Sequence, residues 1–541
     1  MDRKQKVVSV LKQNWIFCLF FAGMIIYYGY NMFAIKPWYD ELYTYYSFIS
    51  RGPIYSAIHW PVPNNHVFYS VLSAFLDYLG NPYIGLRGIS YLAAVANMFL
   101  LYRFARKFVD NYLAAGVVFL YTAVYQVNYL SVQGRGYTLS ITFYLLTLLC
   151  LYKICKEQAT WKEYVVYALS LTGGLYTLIS STFWVIPVCL TGGVVLLFLK
   201  RYKTLRRLIG ASLVAAAMTL FLYTLIWLAI GSNLMSKDPA NMYYGVYQVT
   251  IILKTPFEAL RTGMEYMLAT PYIQGDARSY IIAELFSYLT ALFNLFYAEM
   301  GAYLTVLCGI LGIGAIAAAI KNCKKDFSKW FFNIYLAVSV VMLPLMLIIQ
   351  SVQPYYRVFT FLAVPVSLLL VWFFSSQAVQ GAGKSKLWIS RGCCVVFGVI
   401  SLLMLTNPSY NAQYAERETE IAQIVEEDVS RMESIFYADD YQKYVLKFYF
   451  DKEPIERPLK EAQYVLLPKE VYDEEYEIPV WPTLYGHEGL DLEYLHQEFT
   501  KEIIKNQDYY QMYQNLRHYL LTHKFINKNQ IFDILDQKKL I

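Results

Sequence analysis

Asp40 and Glu41 stand side by side just past the first long apolar run, in Ala34-Ile35-Lys36-Pro37-Trp38-Tyr39-Asp40-Glu41. Adjacent carboxylates at the mouth of an apolar bundle are costly to place unless they act on something. Half desolvated, such a group suits a general base or a metal ligand. The plainer reading is a cap, because negative charge stabilises the start of the helix that follows.

Three further groups fall on the same side of the chain's apolar runs. The first is Trp60-Pro61-Val62-Pro63-Asn64-Asn65-His66-Val67-Phe68-Tyr69, with His59 just before it. It is punctuated by proline and then turns amphipathic, with Val67, Val71, Leu72, Phe75 and Leu79 in one stripe. That pattern predicts a helix lying in the membrane interface. Turn and cap chemistry is the plain reading of Asn64-Asn65-His66. The second group is Gln133-Gly134-Arg135-Gly136-Tyr137, a short turn between two runs. The third is Gln353-Pro354-Tyr355-Tyr356-Arg357, at the head of another run. Arginine at headgroup depth often only snorkels to lipid phosphate. It also binds phosphate through a bidentate fork, which a lipid-linked substrate would need.

The elements that must position these residues are membrane spans. The 541 residues are 57% apolar and only 16% charged, with a mean hydropathy of +0.35. Runs long enough to cross a bilayer, which takes about 20 residues, lie near 14–35, 84–102, 111–130, 137–154, 163–180, 182–199, 208–231, 296–320, 331–350, 358–376 and 390–406. These readings predict a mainly α protein, a polytopic helical bundle of about eleven spans. The first run is too long for a signal-peptide core, and no small-residue cleavage site follows it.

Alternate loops carry basic clusters: Arg103/Arg106/Lys107, Lys153/Lys156/Lys162, Lys200 to Arg207, Lys321 to Lys329, and Lys384/Lys386/Arg391. By the positive-inside rule these loops and the N-terminus are cytoplasmic. The other loops then face out, at 36–83, 131–136, 232–295 and 351–357, together with the tail. From Asn407 onward the chain holds 15 Lys+Arg against 26 Asp+Glu; the rest holds 31 against 14. The expected domains are therefore 1–406, a transmembrane catalytic bundle, and 407–541, an acidic extracytoplasmic domain. Within the latter, 411–432 has helical periodicity, 434–438 and 463–467 read as short strands, and 525–535 as a closing hairpin. That makes a small α/β domain. The overall charge of +6 is no argument for nucleic acid. None of the eight cysteines lies in an outward loop or the tail, so no external disulfide is expected, which fits a bacterial surface.

Other motifs carry less. Gly383-Lys384-Ser385 lacks the first glycine of a phosphate loop, Ala378 standing in its place. Gly309, Gly312 and Gly314 lie inside a span, where small residues allow close packing. His487-Glu488 has no second histidine at the spacing of a zinc helix, and His518 and His523 do not share a helix face.

The order of the four outward groups resembles that of the GT-C glycosyltransferases, in particular bacterial relatives of the protein O-mannosyltransferases and of the lipid A aminoarabinose transferases. The matching pieces are Asp40-Glu41 after the first span, Asn64-Asn65-His66-Val67-Phe68-Tyr69 before a Tyr-rich helix, Arg135-Gly136-Tyr137 at the top of a span, and Arg357 ahead of Pro365. The resemblance covers roughly residues 10–375 and departs at His66-Val67-Phe68, where relatives often carry His-Pro-Pro. It implies transfer of a sugar from a polyprenyl-phosphate donor, with inversion, at the outer face of a cell membrane. Asp40 would be the general base and Glu41 its neighbour in the catalytic pair. Asn65, His66, Arg135, Tyr137 and Arg357 would bind substrate. Glu41 and His66 are the residues that would orient the acceptor or hold a divalent metal, if one is used. Glu265, Asp276 and Arg278 would cap the site from loop 232–295. The partners implied are the lipid-linked donor, an envelope glycan, glycolipid or protein acceptor, and the bilayer.

Two other classes fit the spans. A flippase for lipid-linked sugars would show charges at the membrane midplane and internal repeats, neither of which is evident. A polysaccharide ligase would take a diphosphate-linked donor instead. A non-enzymatic envelope scaffold would explain the acidic tail but not the clustered carboxylates.

Overall fold

The computed structural model describes residues 12–58, 65–231, 257, 277–321, 326–350, 353–376, 383–407, 435–437, 444, 447–448, 464–466 and 503–505. The chain falls into two compact units. One comprises Met1–Ile35 with Ser47–Ala412, the other Lys36–Tyr46 with Gln413–Ile541.

The first unit is helical. Its early helices are α1 (Trp15–Ala34), α3 (Pro53–Ile58), α4 (Val67–Asp77) and α5 (Pro82–Ala105); α2 (Tyr39–Ser47) begins in the other unit. Next come α6 (Asn111–Ala123), α7 (Tyr125–Ser131), α8 (Tyr137–Cys155), α9 (Trp161–Thr177), α10 (Thr182–Phe198) and α11 (Tyr202–Gly231). The last are α12 (Ala277–Asn294), α13 (Gly301–Lys321), α14 (Phe327–Gln350), α15 (Ala363–Ser376) and α16 (Gly383–Leu405), with a 3-10 turn at Tyr356–Leu362 leading into α15.

Nine helices among the described residues are long and apolar enough to cross a membrane, or ten if a bent pair counts as one span. Leu213, Phe221, Ile310, Ile313 and Leu403 stay exposed on them, as lipid-facing side chains must. Two details separate this from the expected eleven. The expected span 111–130 is broken at Val124, where α6 and α7 meet at 75°. The expected span 163–180 is a 17-residue helix, α9, short for a crossing.

The break at Val124 has a tertiary cause. The first N–H groups of a helix have no partner inside it, and those of α7 find theirs elsewhere. Tyr125 N–H donates to the Phe296 carbonyl (2.9 Å) and Gln126 N–H to that of Leu295 (3.1 Å). Helix α7 then delivers the chain into the turn that carries Arg135.

Packing fixes α8. The Tyr144 and Tyr335 hydroxyls meet at 2.6 Å between α8 and α14, and Trp184 Nε1 donates to Ser140 Oγ at 3.0 Å. Asn97 on α5 donates to the Thr138 carbonyl (2.9 Å) and accepts from Thr142. Of the three glycines expected to allow close packing, Gly312 and Gly314 sit where a Cβ would meet Val340 and Trp372, whereas at Gly309 a Cβ would meet nothing within 4 Å.

Helix α4 exists, and the stripe read for an interfacial helix is partly outward and partly inward. Val67, Tyr69, Ser70, Ser73 and Ala74 are buried, whereas Phe75, Tyr78 and Leu79 are exposed. Ser70, Ser73 and Ala74 pack inward with Val67 and Tyr69, while Phe75 and Leu79 face out, as the apolar stripe of an interfacial helix does.

In the second unit, three strands form a sheet in the order β1 (Ile435–Tyr437), β2 (Tyr464–Leu466), β3 (Ile503–Lys505). Strands β1 and β2 are parallel, with Phe436 opposite Val465; β2 and β3 are antiparallel, with Val465 opposite Ile504. The first two fall within the stretches read as strands. The described residues of the tail amount to these strands and a few helical positions, so the expected α/β domain is not established. Its helix at 411–432 and hairpin at 525–535 lie outside the described residues.

Candidate functional site

His66 is the centre of the arrangement in the first unit. It stands at the N-cap position of α4, 3% exposed. The Gly136 N–H donates to its Nδ1 at 2.8 Å, and Arg135 Nη2 lies 3.3 Å from its Nε2. The Tyr137 ring stands edge-on to the imidazole, 5.0 Å away at 86°. Three of the expected residues therefore meet, although about 70 positions of sequence separate His66 from the other two. Arg135 is itself 2% exposed.

Local chemistry explains the meeting. Gly136 has no side chain, and a Cβ there would lie 2.6 Å from Thr177 Cγ2 and 3.1 Å from His66 Cβ. Only glycine lets this backbone approach the ring so closely. Gly134 is constrained too, since a Cβ would meet the Leu86 side chain at 2.3 Å and its carbonyl oxygen at 3.1 Å. On the other flank, Asn65 Nδ2 donates to the Ser56 carbonyl (3.0 Å) and its Oδ1 accepts from Ser70 Oγ (2.7 Å). Asn65 thus clamps the approach to α4, which is the turn-and-cap role.

Arg357 opens the 3-10 turn ahead of α15, its guanidinium 5.1 Å from the Tyr355 ring. Its charge is felt at His66. Burial first, then Arg135 and Arg357, hold the His66 imidazole well below its ordinary pKa of 6.5, so the ring is neutral. Arg357 therefore belongs to the same electrostatic neighbourhood as the other two.

Asp40 and Glu41 lie in the second unit, in the first turn of α2. Trp38 N–H donates to Glu41 Oε2 at 3.3 Å, so Glu41, only 1% exposed, serves in part as the helix cap. Asp40 is half-buried, and its carbonyl accepts from Thr44 Oγ1 at 2.7 Å. The remaining aromatic side of α2 meets the tail. Tyr46 stacks on Tyr444 (5.2 Å, 17°), Tyr43 meets the same ring edge-on, Tyr45 meets Phe448, and Lys447 Nζ sits 5.1 Å from the Tyr46 centroid.

Several residues that matter here were not singled out from sequence. Arg87 is fully buried on α5 and donates through Nη1 to the carbonyls of Met32 and Ile35, closing the end of α1 where the chain departs for Asp40. Ser90 Oγ donates to the Gln133 carbonyl and lies within hydrogen-bond distance of the Arg135 carbonyl and the Tyr69 hydroxyl, pinning the arginine turn to α4 and α5. Gln133 is buried, and its side-chain amide makes no hydrogen bond among the described residues. The Gln-Gly-Arg-Gly-Tyr turn itself was the signal for Gln133; nothing local marks Arg87 or Ser90. His59, Asn64, Glu265 and Asp276 lie outside the described residues, as does the side chain of Arg278.

The metal expectation for His66 does not fit. Its Nδ1 lone pair is taken by the Gly136 N–H, and its Nε2 faces a guanidinium, which a metal cation would repel. Among the described residues, no three of His, Cys, Asp and Glu gather into a metal-binding group.

Residues 66–227 match the family model described as dolichyl-phosphate-mannose-protein mannosyltransferase. This segment, less than a third of the chain, is similar to that mannosyltransferase family. It begins at His66 and includes Arg135 and Tyr137. The nine or ten described helices long and apolar enough to cross a membrane make the chain a multi-pass membrane protein. Its backbone is also similar to two structures of an oligosaccharyltransferase from Archaeoglobus fulgidus. One, described as AglB with an inhibitory peptide and a dolichol-phosphate, shows 13% identity and a TM-score of 0.43 over 84% of this chain and 65% of that one. The other, described as a complex with Zn and sulfate, shows 14% identity and a TM-score of 0.45 over 86% and 67%. The chain spans just under two thirds of the first structure's length. Likeness at that level does not reach to this chain's chemistry. No curated protein matches the chain.

Proposed function

We propose that the protein transfers a sugar from a polyprenyl-phosphate-linked donor to an acceptor hydroxyl at the outer face of a cell membrane, with inversion. The reading rests on one observation above all: a cationic cluster, buried Arg135 and half-buried Arg357 about a neutral His66, largely inside the family-matched segment. Guanidinium binds phosphate through a bidentate fork, and a lipid-linked donor carries that phosphate.

An apolar groove supports the other half of such a donor. A cavity of about 290 Å³ is lined by Leu285, Leu289, Cys308, Val340, Leu362 and Val366, among others. Leu362 and Val366 follow Arg357 on the same stretch of chain, so a phosphate at the arginine could trail an isoprenoid tail along it.

In the reaction, Asp40 takes the proton of the acceptor hydroxyl as its oxygen attacks the anomeric carbon. The bond from that carbon to the phosphate oxygen breaks, and the lipid phosphate departs with the electron pair. General-base assistance contributes roughly 10²–10⁴-fold. Arg357 and Arg135 stabilise the charge on the departing phosphate. Glu41 holds the start of α2, and thereby the carboxylate beside it. Tyr137 and Asn65 orient the phosphate side of the site through His66 and α4. The acceptor is an envelope glycan, glycolipid or protein.

The test is release of polyprenyl phosphate by purified protein given a panel of polyprenyl-monophosphate sugars, wild type against Asp40→Asn. Release should depend on one sugar and fall by at least a hundredfold in the variant. An Asp40→Asn protein that turns over normally, at normal expression, would overturn the assignment of the base.

A further inference from the structure

A cavity of about 660 Å³ opens between helices α9 and α11, lined by Trp161, Tyr164, Ala168, Arg207, Ala211 and Val214, among others. Its volume is that of a site for a small molecule. The lining follows helical spacing. Trp161, Tyr164 and Ala168 are three and four residues apart on α9, and so are Arg207, Ala211 and Val214 on α11. Residues so spaced share a face. Short side chains at Ala168 and Ala211 leave the space open. Elsewhere along the seam the two helices are tied together. The Tyr167 hydroxyl meets Ser212 Oγ at 3.2 Å, and Thr172 Oγ1 donates to the Ala215 carbonyl at 3.3 Å. The groove is therefore a gap in a packed seam, not slack between loose helices.

Its two ends differ in chemistry. At one end Val165, Leu169, Leu213 and Val214 are exposed on the same helices, as lipid-facing side chains are. The other end is aromatic and cationic. Trp161 is 70% exposed, and an exposed tryptophan at the end of an apolar helix marks the membrane interface. Lys162 follows it, and Lys203, Arg206 and Arg207 stand in the first turns of α11. All four are exposed. From residue 153 to residue 207 the chain holds eight Lys and Arg against two Glu. Both carboxylates are already engaged, Glu163 with Lys153 at 3.0 Å and Glu157 with Arg201 at 3.3 Å. Arg207 interacts with the Tyr164 side chain, but a phenol brings no charge to offset the guanidinium. The start of α9 adds no anion site of its own, because Thr160 and Glu163 close a capping box over it.

We propose that this groove binds one phospholipid with an anionic headgroup, its phosphate at Arg207 and one acyl chain along Ala168, Ala211 and Val214. The site does not depend on the transferase reading. Charge complementarity selects the occupant. A zwitterionic lipid brings an ammonium group into a site that already has a cationic surplus; an anionic lipid brings net negative charge. Guanidinium holds phosphate through a bidentate fork, and Lys203, four residues before Arg207, lies on the same face of α11. A soluble anion would leave the apolar wall facing water, which costs free energy. A peptide strand would need partners for its backbone N–H and C=O groups, and alanine and valine side chains offer none. Basic clusters beside a membrane gather anionic lipid in any case. The cavity turns that diffuse attraction into a site for a single molecule.

Tryptophan quenching tests it on the full-length protein in phosphatidylcholine nanodiscs doped with a lipid brominated in its acyl chains. The chain has ten tryptophans, so the Trp161 signal is the difference between wild type and Trp161→Phe. Brominated phosphatidylglycerol should quench Trp161 at a mole fraction roughly fivefold lower than brominated phosphatidylcholine, the advantage expected of one basic residue at a membrane surface. Raising the salt to about 1 M should shrink that preference. Arg207→Gln should abolish it; the residue is exposed, so the variant should melt with wild type. Ala211→Phe, which fills the groove and leaves the cations in place, should abolish it as well. Equal quenching by the two lipids in wild type would mean a basic surface in ordinary bulk lipid and would overturn the site. A preference that survives Arg207→Gln would overturn the headgroup contact, and one that survives Ala211→Phe would overturn the acyl groove. No quenching of Trp161 by either lipid, with wild type cross-linking as a dimer, would mean that a second copy covers the groove, and would overturn the proposal too.

Discussion

His66 carries a consequence for stability as well as for binding. Its folded pKa lies below the ordinary value because burial, Arg135 and Arg357 all oppose a charged ring. In the unfolded chain the imidazole titrates near 6.5. Above that pH it is neutral in both states and contributes no dependence. Below it the unfolded chain binds a proton that the folded one refuses, so stability falls as the medium becomes more acid. The loss amounts to about 1.4 kcal/mol per pH unit below roughly 6.5. Melting wild type and His66→Gln from pH 8 to pH 5 checks it: wild type should lose its margin over the variant on the acid side only. A margin that does not change with pH would mean that His66 titrates alike in both states. At this scale the sequence revealed residue types but not partners. Arg135 and Arg357 stood out because charge is rare near an apolar run. The Gly136 contact to His66 did not, because it joins positions 70 apart through a backbone N–H, which leaves no mark on composition. Arg87 was missed for a related reason. Its partners are carbonyls at the end of α1, and any residue type can offer a carbonyl.

Helices were legible where periodicity and length decide, and less so where tertiary contacts decide. The break at Val124 has no proline or glycine to announce it. The Leu295 and Phe296 carbonyls make it by taking the first N–H groups of α7. For α4 the helix and its apolar stripe were both legible, though the stripe is split, with Phe75 and Leu79 exposed and Val67 buried at its first turn. Helix α2 carries the prediction proper to this scale. Its tyrosines meet Tyr444, Lys447 and Phe448 of the tail, and a stacked aromatic pair contributes about 0.5–1.5 kcal/mol beyond its buried area. Tyr444→Ala should loosen the helix that bears Asp40 and lower donor turnover by about three- to tenfold. Binding of farnesyl phosphate should not change, since the phosphate cluster lies on other elements. Tyr444→Phe keeps the ring and should restore turnover. Equal turnover in Tyr444→Ala and wild type would show that α2 holds its place without the tail.

At the scale of the whole molecule, membrane character was plain from composition because a bilayer demands long apolar runs whatever the fold. The grouping of Lys36–Tyr46 with Gln413–Ile541 was not, since compactness is a property of contacts between distant segments. Orientation follows from charge. Basic clusters alternate along the loops of the bundle, and the tail is strongly acidic; we propose on that ground that the N-terminus and the basic loops are cytoplasmic and the tail outside. In that proposed orientation the Arg135 and Arg357 turns face out, where the proposed lipid-linked donor would present its phosphate. Cysteine labelling decides it, because the native cysteines all precede the tail and lie in or beside the apolar runs. In intact cells a membrane-impermeant maleimide should label Ser434→Cys and leave Ser385→Cys, in a basic loop, unlabelled until the cells are opened. The reverse pattern would put the carboxylates and both arginines on the cytoplasmic face, and the reaction with them.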